Sequence, residues 1–276
     1  PILLPFLGVL AGLLVGDRHI RAVALLTLLA GLGVMLSITT DYLSATQTLT
    51  YLLGGWSPPL GIALRADGLS VVMLLAVAVV VAGIMAYAWR DFNPLADATA
   101  QRMPFMYWLL LLAVWGSINL VFLSGDLFTL YVALELLTFA GVPLVCLDGR
   151  GETLRAALRY LLFALAGSLM YLLGAVLLYG AYGTLDISLL SGLALPEPIA
   201  WTAAALMTGG LLAKTALFPL HIWLPPAHAG APAAGSAILS ALVIKGSWFL
   251  VVRLWFDALP GVVSLPHGWG HGRAGV

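Results

Sequence analysis

The chain has only two lysines, Lys214 and Lys245, and both fall inside long apolar runs rather than in the polar joints between them. Glu135 does the same near the middle of Leu127–Leu147, while nearly every other acidic and basic residue lies in a joint or at the end of a run. A charged side chain at the centre of a bilayer costs at least about 2.5–3.5 kcal/mol by insertion scales, so each of the three is expected to be buried against a polar interior and to have a function. The type of cation matters as well. Arginine stays protonated in proteins, whereas a desolvated lysine shifts its pKa far down and can exchange a proton. A chain that places lysine only in oil, and arginine at every other basic position, therefore reads as a proton relay. The plainer alternative for Glu135 and Lys214 is an inert ion pair that helps two helices pack, with little net stability because desolvation offsets attraction. For Lys245 no evident acid remains in the apolar runs to pair with.

The segment that follows Lys214 reads KTALFPLHIWLPPAHAGAP. Pro219 removes a backbone donor and cannot continue a regular helix without a kink or break, so the helix is expected to be interrupted there. A broken membrane helix survives where its freed carbonyls line water or are covered by protein, which implies a cavity. His221 and His228 lie in this segment, and imidazole titrates near neutral pH, so both are candidate proton carriers at a cytoplasmic mouth. Either could equally be a hydrogen-bonded structural residue. A metal is not expected, because the i, i+7 spacing crosses two prolines and no third ligand stands nearby. His267 and His271 belong to a glycine-rich tail, residues 257–276, that reads as disordered. Catalytic triads, phosphate loops and haem or quinone ligand patterns are not evident, so neither a catalytic site nor a cofactor is expected. Cys146, the single cysteine, reads as a small packed hydrophobe.

The elements that must hold these side chains are set by composition. With 62% hydrophobic and 9% charged residues, the chain has too little polar surface to solvate a water-soluble globule. Its net charge of +0 removes the basic stripe that a nucleic acid would need, so the lipid bilayer is the expected partner. Spanning helices need about 20 mostly apolar residues, and eight runs answer to that: Ile2–Gly16, Ala22–Ser37, Leu69–Trp89, Pro104–Leu123, Leu127–Leu147, Ala156–Tyr182, Ile199–Leu220 and Ala233–Phe256. The first is short, and with no basic stretch before it reads as a retained helix rather than a cleaved signal. Arg18, Arg21, Arg90, Arg102, Arg150, Arg155 and Arg159 fall in alternate joints, which predicts those joints on the cytoplasmic side and the N-terminus outside. Asp41–Arg65, with Gly54, Gly55, Trp56, Pro58 and Pro59, reads as an outer loop. The expected fold is thus an all-α membrane protein with one broken helix: an N-terminal part, 1–103, and a channel part, 104–256.

Two stretches resemble the antiporter-like membrane subunits shared by Mrp-type cation/proton antiporters, respiratory complex I and membrane-bound hydrogenases. They are KTALFPLHIWLPPAHAGAPAAGSAILSALVIKGSWFLVVR from Lys214 to Arg253 and FLSGDLFTLYVALELLTFAGVPLV from Phe122 to Val145. A third, LLGGWSPPLGIALRADGLSVVMLL from Leu52 to Leu75, looks most like the D-type subunits of the Mrp branch. The resemblance implies a helix-five glutamate at Glu135, a helix-seven lysine pairing with it at Lys214, a helix-eight lysine on the central proton path at Lys245, and relay histidines at His221 and His228. It also implies other membrane subunits as partners, with protons and sodium handled by the complex, in a bacterial plasma membrane. Family members have about fourteen helices in two inverted five-helix repeats, so this chain reads as the first repeat, either a truncated piece or a subunit completed by another polypeptide. Two alternatives follow: the membrane arm of a proton-pumping NADH:quinone oxidoreductase or hydrogenase, and a truncated scaffold that conducts nothing.

Overall fold

Apolar runs of this length must satisfy their own backbone in lipid, and a helix does so within one segment. The computed structural model describes residues 1–45, 47–92 and 102–262; His267 and His271, and all but six residues of the expected tail, lie outside them. The chain forms α1 (Leu3–Val15), α2 (Ile20–Ala45), β1 (Leu49–Leu52), β2 (Ala63–Ala66), α3 (Gly68–Asp91), α4 (Arg102–Leu123), α5 (Leu127–Val145), α6 (Gly151–Tyr182), α7 (Ile187–Leu193), α8 (Pro198–Lys214), α9 (Leu224–Gly230) and α10 (Ala233–Ala258). Six of these, α2 to α6 and α10, are long and apolar enough to cross a membrane. Helix α1, at 13 residues, and α8, at 17, are shorter than the eight-span reading supposed.

Other differences from the sequence expectation have local causes. Helix α2 continues past Ser37 because Thr39, Thr40 and Ser44 return their hydroxyls to helix carbonyls at 2.8 Å each, which lets polar residues extend it. The outer loop is partly an antiparallel hairpin, with Leu49 opposite Ala66 and Leu52 opposite Ala63, so the fold is not purely helical. The joint after α6 contains α7, capped by Asp186, which accepts from the Ser188 and Leu189 amides at 2.9 and 3.0 Å.

The hairpin ties one end of the bundle together. The Gly125 amide donates to the Ala63 carbonyl at 3.0 Å, and the Ile187 amide to the Gly125 carbonyl at 2.9 Å. Arg253, buried near the end of α10, donates to Asp67 at the start of α3, at 2.7 Å through Nη2. The same guanidinium reaches Ser70 Oγ at 2.8 Å and Asp257 at 2.5 Å. Burial opposes charge on Asp67, but the bonds from Arg253 and Ser70 outweigh it and hold the carboxyl at about 2. This buried arginine was not singled out by the sequence reading. At the other end Arg21, in the first turn of α2, donates to the Trp89 carbonyl at 2.6 Å and lies over the Trp89 ring, 4.1 Å from its centroid.

Helix α10 is not uniform. Leu239–Val243 and Arg253–Ala258 are π-helical, with the Ile244 amide reaching the Leu239 carbonyl five residues back. Such wide turns accommodate one extra residue within an otherwise regular helix.

Candidate functional site: a lysine at a helix break

Two glycines set the position of Lys214. A Cβ on Gly167 of α6 would lie 2.6 Å from the Gly210 carbonyl oxygen of α8, and one on Gly174 would lie 2.6 Å from the Ala203 carbonyl oxygen. Small residues therefore bring the two backbones into contact, the usual way for helices to associate where lipid supplies no hydrophobic drive. Helix α8 carries Ala203, Ala204 and Gly210 on its buried face, and the same face ends in Lys214.

Lys214 is the last residue of α8, which stops short of the end of the Ile199–Leu220 run. The break therefore comes five residues ahead of Pro219. Thr215 turns its hydroxyl back to the Leu211 carbonyl at 2.6 Å, Ala216 takes a left-handed conformation at φ 55°, and Trp223 folds back to donate to the Ala213 carbonyl at 2.9 Å. The two side chains are second donors to carbonyls that already accept the Thr215 and Ala216 amides, at 2.8 and 3.3 Å, so the end of α8 is doubly tied. An ammonium at a helix C-terminus is favoured by the negative end of the helix dipole.

The Lys214 side chain is 6% exposed and its Nζ donates three hydrogen bonds: to Glu135 Oε1 at 3.0 Å, to Thr138 Oγ1 at 3.1 Å, and to Ser168 Oγ. Ser168 in turn donates to Glu135 Oε1. An ammonium has three N–H groups, and here each has an acceptor. Glu135 comes from α5, whose N-terminus is fixed by Asp126, a cap accepting from the Thr129 amide at 2.8 Å. Thr138, one turn further on, shares its hydroxyl with the Leu134 carbonyl at 2.8 Å. The expected Glu135–Lys214 pair thus forms, together with two hydroxyls that the sequence reading passed over. Their signal was available, since Thr138 and Ser168 are polar residues inside apolar runs.

Beside the ammonium lies a cavity of about 10 Å³ bordered by Thr138, Tyr160, Lys214, Val243 and Ser247. That is near the lower bound for a single water molecule. Tyr160 is 2% exposed and its hydroxyl has no hydrogen-bond partner among the described residues, while its ring stacks on Trp223 with centroids 4.5 Å apart. Tyr160 and Ser247 therefore bring polar groups to the side of Lys214 that faces α10.

Lys245 departs from expectation. It lies in mid-helix, but it is exposed on the outer side of α10, while Gly246, Ser247, Phe249 and Leu250 fill the inner side. Among the described residues it has no ion pair or hydrogen bond. The interior of α10 is packed with apolar groups, which is why the amine is turned outward. His221 and His228 both lie in the broken segment, though neither joins the pair. His228 Nδ1 is 2.7 Å from Ser236 Oγ, and His221 is half-buried with Nδ1 enclosed and without a hydrogen-bond partner among the described residues.

The profile described as NADH:quinone oxidoreductase/Mrp antiporter, TM, matches residues 124–265. The D-type subunit of a Na(+)/H(+) antiporter from Bacillus subtilis is 30% identical over 263 residues, covering 92% of this chain and 51% of that protein. The N-type subunit of the NADH-quinone oxidoreductase of Desulforudis audaxviator is 36% identical over 209 residues, covering 75% and 41%. Among solved structures, a chain of the membrane-bound sulfane sulfur reductase, an archaeal respiratory membrane complex, superposes with a TM-score of 0.84 at 26% identity, covering 95% of this chain and 54% of that one. A chain of the Mrp complex from a Dietzia species gives 0.79 at 25% identity, covering 94% and 48%. The chain spans about half the length of the relatives it matches. With a lysine-terminated broken helix, a half-buried glutamate partner and matches that run through both, the chain belongs to the NADH:quinone oxidoreductase/Mrp antiporter family of membrane subunits.

Proposed function

We propose that this chain carries a proton half-path of an Mrp-type cation/proton antiporter, with Lys214 as the group that takes up and releases the proton. The observation that carries the reading is the Lys214 ammonium at the end of an interrupted helix, held by Glu135 and two hydroxyls beside a small cavity that Thr138, Tyr160 and Ser247 also border. When Glu135 moves away the ammonium loses its counter-charge in a dry site, and its proton becomes easier to lose; when Glu135 returns, the charged form is favoured again. His221 and His228 lead protons through the broken segment towards the pair. Lys245 takes the proton onward; a membrane-embedded amine needs polar surroundings, and its outward direction supports a path that continues along protein beyond α10.

In this reading the helices α1, α2, α3, α4, α5, α6, α8 with α9, and α10 make eight crossings. The N-terminus lies outside, residues 1–103 form the N-terminal part, and 104–256 form the first repeat of an inverted pair. The chain works in a bacterial plasma membrane with other membrane subunits, which bring in the coupled cation. A second reading is the membrane arm of a respiratory complex, favoured by the 36% identity to the N-type subunit of an NADH-quinone oxidoreductase and the superposition on a sulfane sulfur reductase chain.

The test uses the intact complex in inverted vesicles. Lys214→Arg keeps a cation beside Glu135 but one that does not give up its proton, so assembly should persist and proton uptake should fall at least about a hundredfold, the low end of a proton-transfer contribution. Glu135→Gln should also lower uptake. Transport at the unmodified rate in Lys214→Arg would sink the proposal, and absence of flux in every assembly would leave the chain a scaffold.

A further inference from the structure

We infer that a groove between α2 and α3, at the arginine-rich end of the bundle, binds one anionic phospholipid, with an acyl chain along the helices and the phosphate at Arg21 and Arg90. The groove has a volume of about 250 Å³ and an apolar floor of Leu25, Leu28, Ala82, Met85 and Ala86. Two alanines on α3 leave the hollow, since larger side chains at 82 and 86 would fill it. Its other boundary is polar and aromatic: Trp89 and Arg90 complete the lining.

The chemistry of that rim selects a negative charge. Arg21 is fixed over Trp89, 4.1 Å from the ring centroid, and donates to the Trp89 carbonyl, so its guanidinium is held close to the groove instead of sweeping through solvent. Arg90 follows directly and is exposed. Arg18 is also exposed in the preceding joint, and among the described residues the carboxylates near this end of the two helices are Asp17 and Asp91. Tryptophan and arginine together mark the headgroup level of a membrane, with the ring amphipathic and the charge in water. Basic pockets between membrane helices on the side that retains arginine are where anionic headgroups bind.

Charge argues for an anionic lipid rather than an apolar helix of another subunit, because Arg90 lines the slot and Arg21 lies over Trp89 at the same end. An apolar slot that opens beneath two guanidiniums has the order of a phospholipid, tail first and phosphate last. None of these residues contacts Glu135 or Lys214, so the site stands independently of the proton-path reading.

The test is lipid retention by the purified full-length complex, taken from phosphatidylcholine nanodiscs doped with phosphatidylglycerol and read by native mass spectrometry. The unmodified protein should keep one phosphatidylglycerol in preference to phosphatidylcholine. Arg90→Gln, which leaves the Arg21–Trp89 contact in place, should lower that retention about fivefold, the worth of one basic residue at an anionic surface. Ala86→Phe fills the slot without changing charge and should lower it as well. Equal retention of the two lipids, unchanged retention in both variants, or loss in Arg90→Gln alone would overturn the groove as the site. So would a photocrosslinker at position 86 that captures a polypeptide instead of a lipid.

Discussion

The backbones of Gly167 and Gly210 touch, and that contact places the Lys214 ammonium within reach of Ser168 and Glu135. Lys214 lies one turn beyond Gly210 on α8, and Ser168 is the residue after Gly167 on α6. A spacing between two backbones thus fixes the geometry of a charge pair.

Gly210→Ala should therefore act on chemistry through distance. The added methyl would press on the Gly167 carbonyl, and overpacking of this kind costs about 1–3 kcal/mol. We expect a lower unfolding temperature together with reduced proton uptake, measured on the same purified complex. Gly33→Ala is the control, since a Cβ there meets open space; it should alter neither quantity. Uptake unaffected by Gly210→Ala would separate the helix contact from the function of the pair.

Truncation of the two lysines should differ in its effect on stability. Removing Lys214 leaves Glu135 as an uncompensated charge in a confined site, a loss of about 3–5 kcal/mol. Lys245 is exposed and has no partner among the described residues, so Lys245→Ala should change stability by no more than about 0.5 kcal/mol. Proton uptake should nevertheless fall in both. Thermal unfolding alongside vesicle flux checks this; a large stability loss in Lys245→Ala would mean that the amine has an acidic partner supplied from elsewhere in the complex.

Asp67→Asn should loosen the hairpin end. Its carboxylate faces Arg253, which is buried and would keep Asp257 as its counter-charge and the bond to Ser70, so the expected loss is about 1.5–3 kcal/mol, the worth of a hydrogen bond to a charged group. The sign of the pH effect follows from the direction of the shift. Asp67 titrates at about 2, below its ordinary range, so its contribution is complete above the unfolded carboxyl value and disappears only as pH falls through about 2. The stability difference between Asp67→Asn and the unmodified protein should consequently stay constant from about pH 5 to about pH 8, within the range where chemical denaturation can be followed. A difference that shrinks between those values would contradict the assignment.

Much of this arrangement was legible in the residues because electrostatics in oil leaves few choices. Glu135 and Lys214 each needed a partner within an apolar run, and each was the obvious candidate for the other. Position along a helix was readable for Lys245, but its angular direction was not: Phe249 and Leu250 take the inner side of α10, and no local pattern says which of two apolar faces will be covered. Arg253 escaped notice for a related reason. It lies at the end of a run, where arginine commonly reaches water, and its partner Asp67 is 186 residues away. Pro219 announced a break, yet the helix ends earlier because Thr215, Ala216 and Trp223 stabilise an exit at Lys214, a tertiary effect that the proline alone does not encode.

The wide turn at Leu239–Val243 gives α10 one residue of slack, like a thread cut with a single extra pitch. Tightened to ordinary α geometry, it would advance every later side chain by one place, about 100° of rotation and 1.5 Å of rise. Lys245 would then occupy the station of Gly246, whose absent side chain would meet Leu137 at 2.8 Å and Ile118 at 2.9 Å. The amine keeps its outward bearing because those two aliphatic groups crowd the neighbouring station and the slack stays wound into the helix.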